Sequence, residues 1–247
     1  RNSVGEFHYG VTANMNFSRS KTTFQERSPY RSSWDRWKNG NIDRYHDIGW
    51  GYEVIGRYHN YDQIRNGVIE TGGYGNSKTL PGDYMHLDLN GDGVINGNDM
   101  KPMFWNGQPK MTFGITLYAS WKGLDFNMLW SGAAKYTAKY NEVLGNVLAL
   151  DSSWIPGKYP ATRRTDADNG ANRLESNMQR INAAHARLKN LELGYTLPAK
   201  LLRGSGISKL RCYINLTNPL VICNKYLKEF DPEISDGNGF QYPLQKS

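Results

Sequence analysis

The chain has 247 residues and a formal net charge of +7, with 26 Gly, 16 Tyr, 8 Phe and 7 Trp set among many Asn, Asp and Ser. That mixture favours strands joined by turns over helices. The Lys and Arg residues form no run that reads as a nucleic-acid patch. There is also no stretch of about 18 apolar residues, which excludes a transmembrane helix but not a membrane barrel, whose strands turn an apolar residue to lipid only at every second position.

In chain order, the first predicted strand is Phe7 to Ser18, where Phe7, Tyr9, Val11, Ala13, Met15 and Phe17 alternate with His8, Gly10, Thr12, Asn14, Asn16 and Ser18. Strict period two over twelve residues breaks the i, i+3, i+4 template of a helix at once. Met111 to Lys122 repeats the pattern, Gly123 turns the chain, and Leu124, Phe126, Met128 and Trp130 continue it with an interruption at Leu129. So short a connection predicts a hairpin. Leu191, Leu193, Tyr195 and Leu197 form a fourth strand closed by Pro198, and Leu210, Cys212, Ile214 and Leu216 a fifth.

Long polar stretches separate these strands at about 28–109, 135–182 and 221–247, and the other connections are short. Outer-membrane barrels sort their loops this way, long outside and short on the periplasmic side. The strands run about ten to twelve residues, enough to cross a bilayer at a tilt. Phe7, Phe17, Trp121 and Trp130 are expected near strand ends, as an interfacial girdle. The fold expected is therefore all-β, an antiparallel transmembrane barrel segment with long extracellular loops. Phe113, Ile115, Leu117, Leu124, Phe126 and Met128 would face lipid, and Thr112, Thr116, Asp125 and Asn127 the lumen. Cys212 and Cys223, eleven positions apart in a strand followed by a loop, are not expected to pair.

The sharpest motif is Asp88-Leu89-Asn90-Gly91-Asp92-Gly93-Val94-Ile95-Asn96-Gly97-Asn98-Asp99. Oxygen-bearing side chains fall at loop positions 1, 3, 5, 9 and 12, Gly93 holds the sharp-turn position, and Val94 offers its carbonyl. Asp88, Asn90, Asp92, Val94, Asn96 and Asp99 are thus candidate ligands of a structural Ca²⁺. Asp99 stands where a longer Glu is usual, and the flanks predict no switching helix pair. The other reading is a turn cluster without metal. His8, His46, His59, His86 and His185 are dispersed and no nucleophile elbow occurs, so no enzyme is expected. Trp34, Trp37, Trp50, Trp105 and Trp154 lie in the long loops, where Trp34, Trp37, Trp105 and Trp154 are candidates for substrate or partner contact.

Several further runs, in order, carry a family likeness: Gly51-Tyr52-Glu53-Val54-Ile55-Gly56, Tyr61-Asp62-Gln63-Ile64, Pro81-Gly82-Asp83-Tyr84, Arg187 to Pro198, Asn215-Leu216-Thr217-Asn218-Pro219-Leu220 and Phe230-Asp231-Pro232-Glu233. Together with the Asp88 loop, the chain resembles the SusC/RagA-type TonB-dependent transporters of the Bacteroidetes outer membrane. The resemblance implies a 22-stranded barrel with an N-terminal plug, energised through TonB, capped by a SusD-like surface lipoprotein and importing a glycan or peptide. Residues 1–247 would be the C-terminal portion of the barrel domain, without plug, N-terminal strands or closing strand. Counting back from that strand makes the Lys122-Gly123 turn periplasmic and residues 28–109 extracellular. The competing expectation is a secreted all-β carbohydrate-binding module with a structural calcium loop.

Overall fold

The computed structural model describes residues 2–70, 75–139, 172, 174–204, 206–225, 227 and 231–233. A six-stranded antiparallel sheet, in the order β1-β2-β9-β10-β13-β14, is formed by β1 (Asn2–Val4), β2 (Phe7–Phe17), β9 (Met111–Trp121), β10 (Leu124–Ala134), β13 (His185–Thr196) and β14 (Arg211–Cys223). The five predicted strands are all present. The last runs on through Cys223, so both cysteines lie in one strand and are free thiols.

Register turns the alternation into a two-faced wall. Val11, Leu117, Met128, Leu191 and Leu216 pair across five strands in one row, and Tyr9, Ala119, Phe126, Leu193 and Ile214 in the next. The opposite face carries rows such as Gly10, Tyr118, Asn127, Glu192 and Asn215. Among the described residues nothing covers the apolar face: Val11 is 66% exposed, Met15 69% and Ile214 67%. A water-soluble sandwich would bury such a face against a second layer, whereas acyl chains cover it without one.

The second half of the wall contains a bulge. Leu129 pairs with Asn190 and Trp130 with Leu188, leaving Lys189 as an extra residue, while on the other side Leu188 pairs with Leu220 and Asn190 with Thr217. Asn218 there adopts φ +52°, and Pro219, having no N–H to give, sits where the ladder is already broken. The extra residue restores Leu188 to the apolar row after a run in which the odd residues Leu191, Leu193 and Tyr195 face that side. Trp130 is corrected by the same register. It lies between Ile115 and Leu188 in mid-strand, not at an end. Phe7, Trp121 and Tyr195 do form a terminal aromatic row with Leu124.

On the polar face Arg211 reaches Asp125 at 2.5 Å and also pairs with Glu192. Gly194 makes this possible, because a Cβ there would stand 2.5 Å from the guanidinium and 2.6 Å from the Asp125 carboxylate.

All short connections lie at one end of the sheet: Gly5-Glu6, Lys122-Gly123 and Leu197 to Leu210. All long excursions leave from the other. The largest, between β2 and β9, folds into a crown of small elements: α1 (Ser33–Asn39), β3 (Ile48–Gly51), β4 (Val54–Arg57), α2 (Tyr61–Asn66), β5 (Ile69–Glu70), β6 (Tyr84–His86), β7 (Val94–Ile95) and β8 (Lys101–Trp105). β3 pairs with β8, β4 with β6, and β5 runs parallel to β7. Between β10 and β13 the pair β11 (Thr137–Lys139) and β12 (Arg180–Asn182) closes the second excursion.

Opposite faces must answer differently to charge. Leu117→Arg, close to the middle of the apolar face, is expected to cost about 2–4 kcal/mol in a bilayer. The neighbouring Thr116→Arg, on the polar face, should cost far less. Urea unfolding of the full-length protein in lipid vesicles would measure both, and equal costs would refute the facing.

Candidate functional site

The Asp88 loop is held by its own side chains. Asp88 accepts from the N–H groups of Gly91 and Gly93, both at 2.7 Å, Asn90 from Asp92 at 3.1 Å, and Asp92 from Val94 at 2.8 Å. Gly91 at φ +75° and Gly93 at φ +81° turn the chain in the left-handed region that other residues avoid. Asp99 is 2% exposed and accepts from Leu89 at 3.0 Å and from Asn96 at 2.7 Å. It completes a capping box with Asn96 on the short turn Gly97–Asp99.

The N–H groups of Gly93 and Gly91 hold the Asp88 carboxyl below the usual range. Among the described residues no three His, Cys, Asp or Glu side chains converge on one point. The remaining oxygens of a cation shell would have to come from Asn90, Val94 and Asn96, a hard-oxygen set of the kind Ca²⁺ prefers.

Beneath the loop lies a polar core. β7 lies inside the loop and pairs with β5, which carries Glu70. Both carboxylate oxygens of Glu70 lie 3.1 Å from Nδ1 of His86 on β6, with both side chains fully buried. Tyr52 stacks edge-on against His86 at 5.9 Å. The Pro81-Gly82-Asp83-Tyr84 run forms the adjoining turn. Gly82 takes φ +98°, and Asp83 accepts from Leu80 and from Asn172, each at 2.8 Å. Tyr58 is 1% exposed, and burial followed by the charge of Glu70 pushes its phenol up to about 12. Its hydroxyl has no hydrogen-bond partner among the described residues.

α1 starts at Ser32, whose hydroxyl accepts from Asp35 N–H at 3.0 Å, and ends at Gly40. It carries Trp34 and Trp37, whose rings lie 4.8 Å apart, and Trp37 meets Trp50 edge-on at 4.7 Å. Lys38 joins α1 to the Asp88 loop by donating to the Gly97 carbonyl. Beside α1 opens a cleft of about 1060 Å³, lined among others by Tyr30, Arg36, Trp37, Ile42 and Arg44.

The crown is fastened to the wall near the strand ends. Arg19 grips Asp47 with two hydrogen bonds, of 2.6 and 2.8 Å, and holds that carboxyl below its usual range. Ser18 N–H donates to Lys110 at 3.0 Å, as does Asn106 N–H to Asp47. On the polar face of the sheet, Asp231, Pro232 and Glu233 fold over its end. Arg187, 1% exposed, pairs with Asp231 and lies 3.3 Å from Glu233, and Tyr136 donates to the Pro232 carbonyl at 2.9 Å.

No family model matches the chain. TonB-dependent receptor P3 of Formosa agariphila is 26% identical over 181 residues, 68% of this chain and 18% of the relative. Solved structures of the RagAB peptide importer in open-open and closed-closed states, and of the RagAB peptide transporter, superpose with TM-scores of 0.60, 0.62 and 0.65 at 20% identity. They cover 94%, 100% and 100% of the chain and 24%, 27% and 26% of their own. The chain has the fold of part of the RagA barrel wall and is similar in sequence to a TonB-dependent receptor.

The chain spans 18% of the length of the curated relative it matches. Its six strands form an open sheet among the described residues. Of the tryptophans singled out from sequence, Trp34 and Trp37 come together on α1, and Trp37 lines the cleft. Trp105 ends β8, 5.3 Å from the Arg19 guanidinium, and Trp154 lies outside the described residues. Tyr30, Arg36 and Arg44, the Glu70–His86 pair and the Arg187 cluster were not anticipated. The interleaving of Arg with aromatics between Arg19 and Trp50 was the available signal for the cleft. Partners separated by 16 residues in one case and 44 in the other left no signal for the other two.

Three outcomes follow from these contacts. Tyr58→Phe removes a hydroxyl that makes no bond and should leave stability unchanged or raise it by up to about 1 kcal/mol, read from thermal melts of the full-length protein. Arg187→Ala strands Asp231 in a buried position and should cost about 3–5 kcal/mol, much of it recovered in the double variant R187M/D231N. The Arg19–Asp47 clamp depends on an ionised Asp47. Because that carboxyl is lowered in the folded protein, the clamp's contribution is complete above its unfolded value of about 4 and is lost as pH falls through the lower folded value. Proteolysis of the full-length protein across pH 2–7 should show residues 18–47 opening only below about pH 4, and Asp47→Asn should open them at neutral pH.

Proposed function

We propose that this chain forms part of the wall and outer crown of a TonB-dependent importer that carries a glycan or peptide nutrient across the outer membrane. The observation behind the proposal is the pairing of an uncovered apolar face with a charged and hydroxylated one across five strands, joined by short turns at one end and a folded crown at the other. The short-turn end is the periplasmic one, and the crown with its Asp88 loop is extracellular. TonB engages the protein outside this chain, and a SusD-like lipoprotein closes over the crown. The chain performs no chemistry; its lumen and crown side chains meet the cargo. Trp37 at the cleft and Trp34 packed beside it on α1 are contact residues for cargo or lid, and Trp105 and Trp154 belong to the same set.

The full-length protein should fractionate with the outer membrane and need detergent for release. Uptake of labelled nutrient should stop when the proton-motive force is dissipated or TonB is deleted. A protein that stays soluble without detergent would be a secreted binding module instead. Surface labelling of a cysteine placed at Asn98 in intact cells tests sidedness, and labelling only after lysis would reverse the topology.

In the same reading, Asp88, Asn90, Asp92, Asn96, Asp99 and the Val94 carbonyl hold a structural Ca²⁺. The support is the all-oxygen donor set at the spacing of a calcium loop, with Asp99 folding back to accept from the Leu89 N–H beside Asp88. Ca²⁺ would draw the six donors around one point and clip the loop. Calcium should raise the melting temperature of the full-length protein, chelation should lower it, and Asp88→Ala should abolish the difference. No response in the wild type removes the metal and leaves a self-capped turn.

A further inference from the structure

Between Arg19 and Arg44 seven basic residues stand against three acidic ones, Glu26, Asp35 and Asp43. Of these residues Arg36 and Arg44 line the cleft beside α1, together with Asp43. The acids near it are engaged: Asp43 with Lys21 at 3.1 Å, and Asp35 with Asn39 and the Arg31 N–H. The arginines bond mainly to neutral groups. Arg44 donates to the carbonyls of Trp37 and Lys38, and Arg27 donates to that of Asn39 while lying 4.3 Å over the Tyr30 ring. Neutral partners orient a guanidinium and leave its charge uncompensated. Arg36 is exposed on the cleft lining and has no partner among the described residues.

A concave site of about 1060 Å³ whose walls combine aromatic rings with uncompensated guanidinium groups suits a ligand that alternates apolar or ring surface with carboxylates. We propose that this cleft binds a carboxylate-bearing oligomer, with Arg36 pairing with its acid groups and Tyr30 and Trp37 packing on its backbone or rings. The proposal rests on the import reading for the class of cargo, and it narrows that cargo to anionic chains. Acidic peptides and acidic glycans share the chemistry, and the probes below separate them.

The test is calorimetric titration of the detergent-purified full-length protein with hexaglutamate and hexagalacturonate, against a neutral glycine-serine hexapeptide and maltohexaose. At least one acidic probe should bind about tenfold or more tightly than its neutral counterpart, since a hydrogen bond to a charged group is worth about 1.5–3 kcal/mol. Arg36→Ala should erase that preference, Arg36→Lys should restore part of it, and Arg203→Ala, in the connection between β13 and β14 at the far end of the sheet, should change nothing. Raised salt should weaken the acidic probe selectively. Preference for hexaglutamate alone assigns an acidic peptide, and preference for hexagalacturonate alone an acidic glycan. Equal binding of acidic and neutral probes, or an Arg36→Ala protein that keeps the preference, overturns the proposal. Acidic-probe binding by a protein that fails the fractionation and uptake tests would leave the cleft standing and remove the importer.

Discussion

The wall of this chain depends on satisfying backbone hydrogen bonds where no water can do so. In a hydrocarbon layer an unpaired N–H or C=O costs several kcal/mol, so strands must run the full thickness and each must be flanked. β2, β9 and β10 are eleven residues long and paired residue for residue. That demand fixes the backbone and leaves the side chains only two directions, so one face becomes an apolar sheet and the other collects Arg211, Asp125 and Glu192. The single irregularity, at Lys189 and Asn218-Pro219, is placed where an extra residue keeps the apolar row in phase.

The crown obeys a different constraint. It has no membrane to fill its exposed side and only small strands with which to build, so its interior is polar and crosslinked. Asp83, Asn172, Glu70 and His86 satisfy backbone and side-chain groups that short elements leave open, and caps at Ser32, Asn60 and Asn96 close the helical turns. The parallel pair β5–β7 ties the Asp88 loop to that interior, and Lys38 ties the same loop to α1. Geometry at the loop is therefore passed directly to the helix that walls the cleft. The Arg19–Asp47 clamp and the Ser18–Lys110 bond hold the whole assembly at the strand ends.

Two of the motifs that carry the family likeness now have physical roles. Asn215 to Leu220 is the bulged strand, in which Asn218 supplies a positive φ and Pro219 an absent donor. Asp231-Pro232-Glu233 is a strap that brings two carboxylates to a buried arginine on the wall. Neither role needs a ligand, and both explain why those residue types stand there.

The sequence by itself determined the strands, their length, which residues share a face and where the short turns fall, because a period of two and a glycine turn are local properties written in adjacent residues. The Asp88 loop was legible for the same reason, since its donors lie within twelve consecutive positions. Tertiary structure alone decided the rest. Trp130 is mid-wall because β10 runs on past it to Ala134, paired with β9 throughout. His86, one of five dispersed histidines, is a buried partner because β5 and β6 bring Glu70 to it from sixteen residues away. The cleft beside α1 exists because the chain folds back at Gly40 and returns Ile42 and Arg44 to Trp37, a closure that no spacing rule encodes.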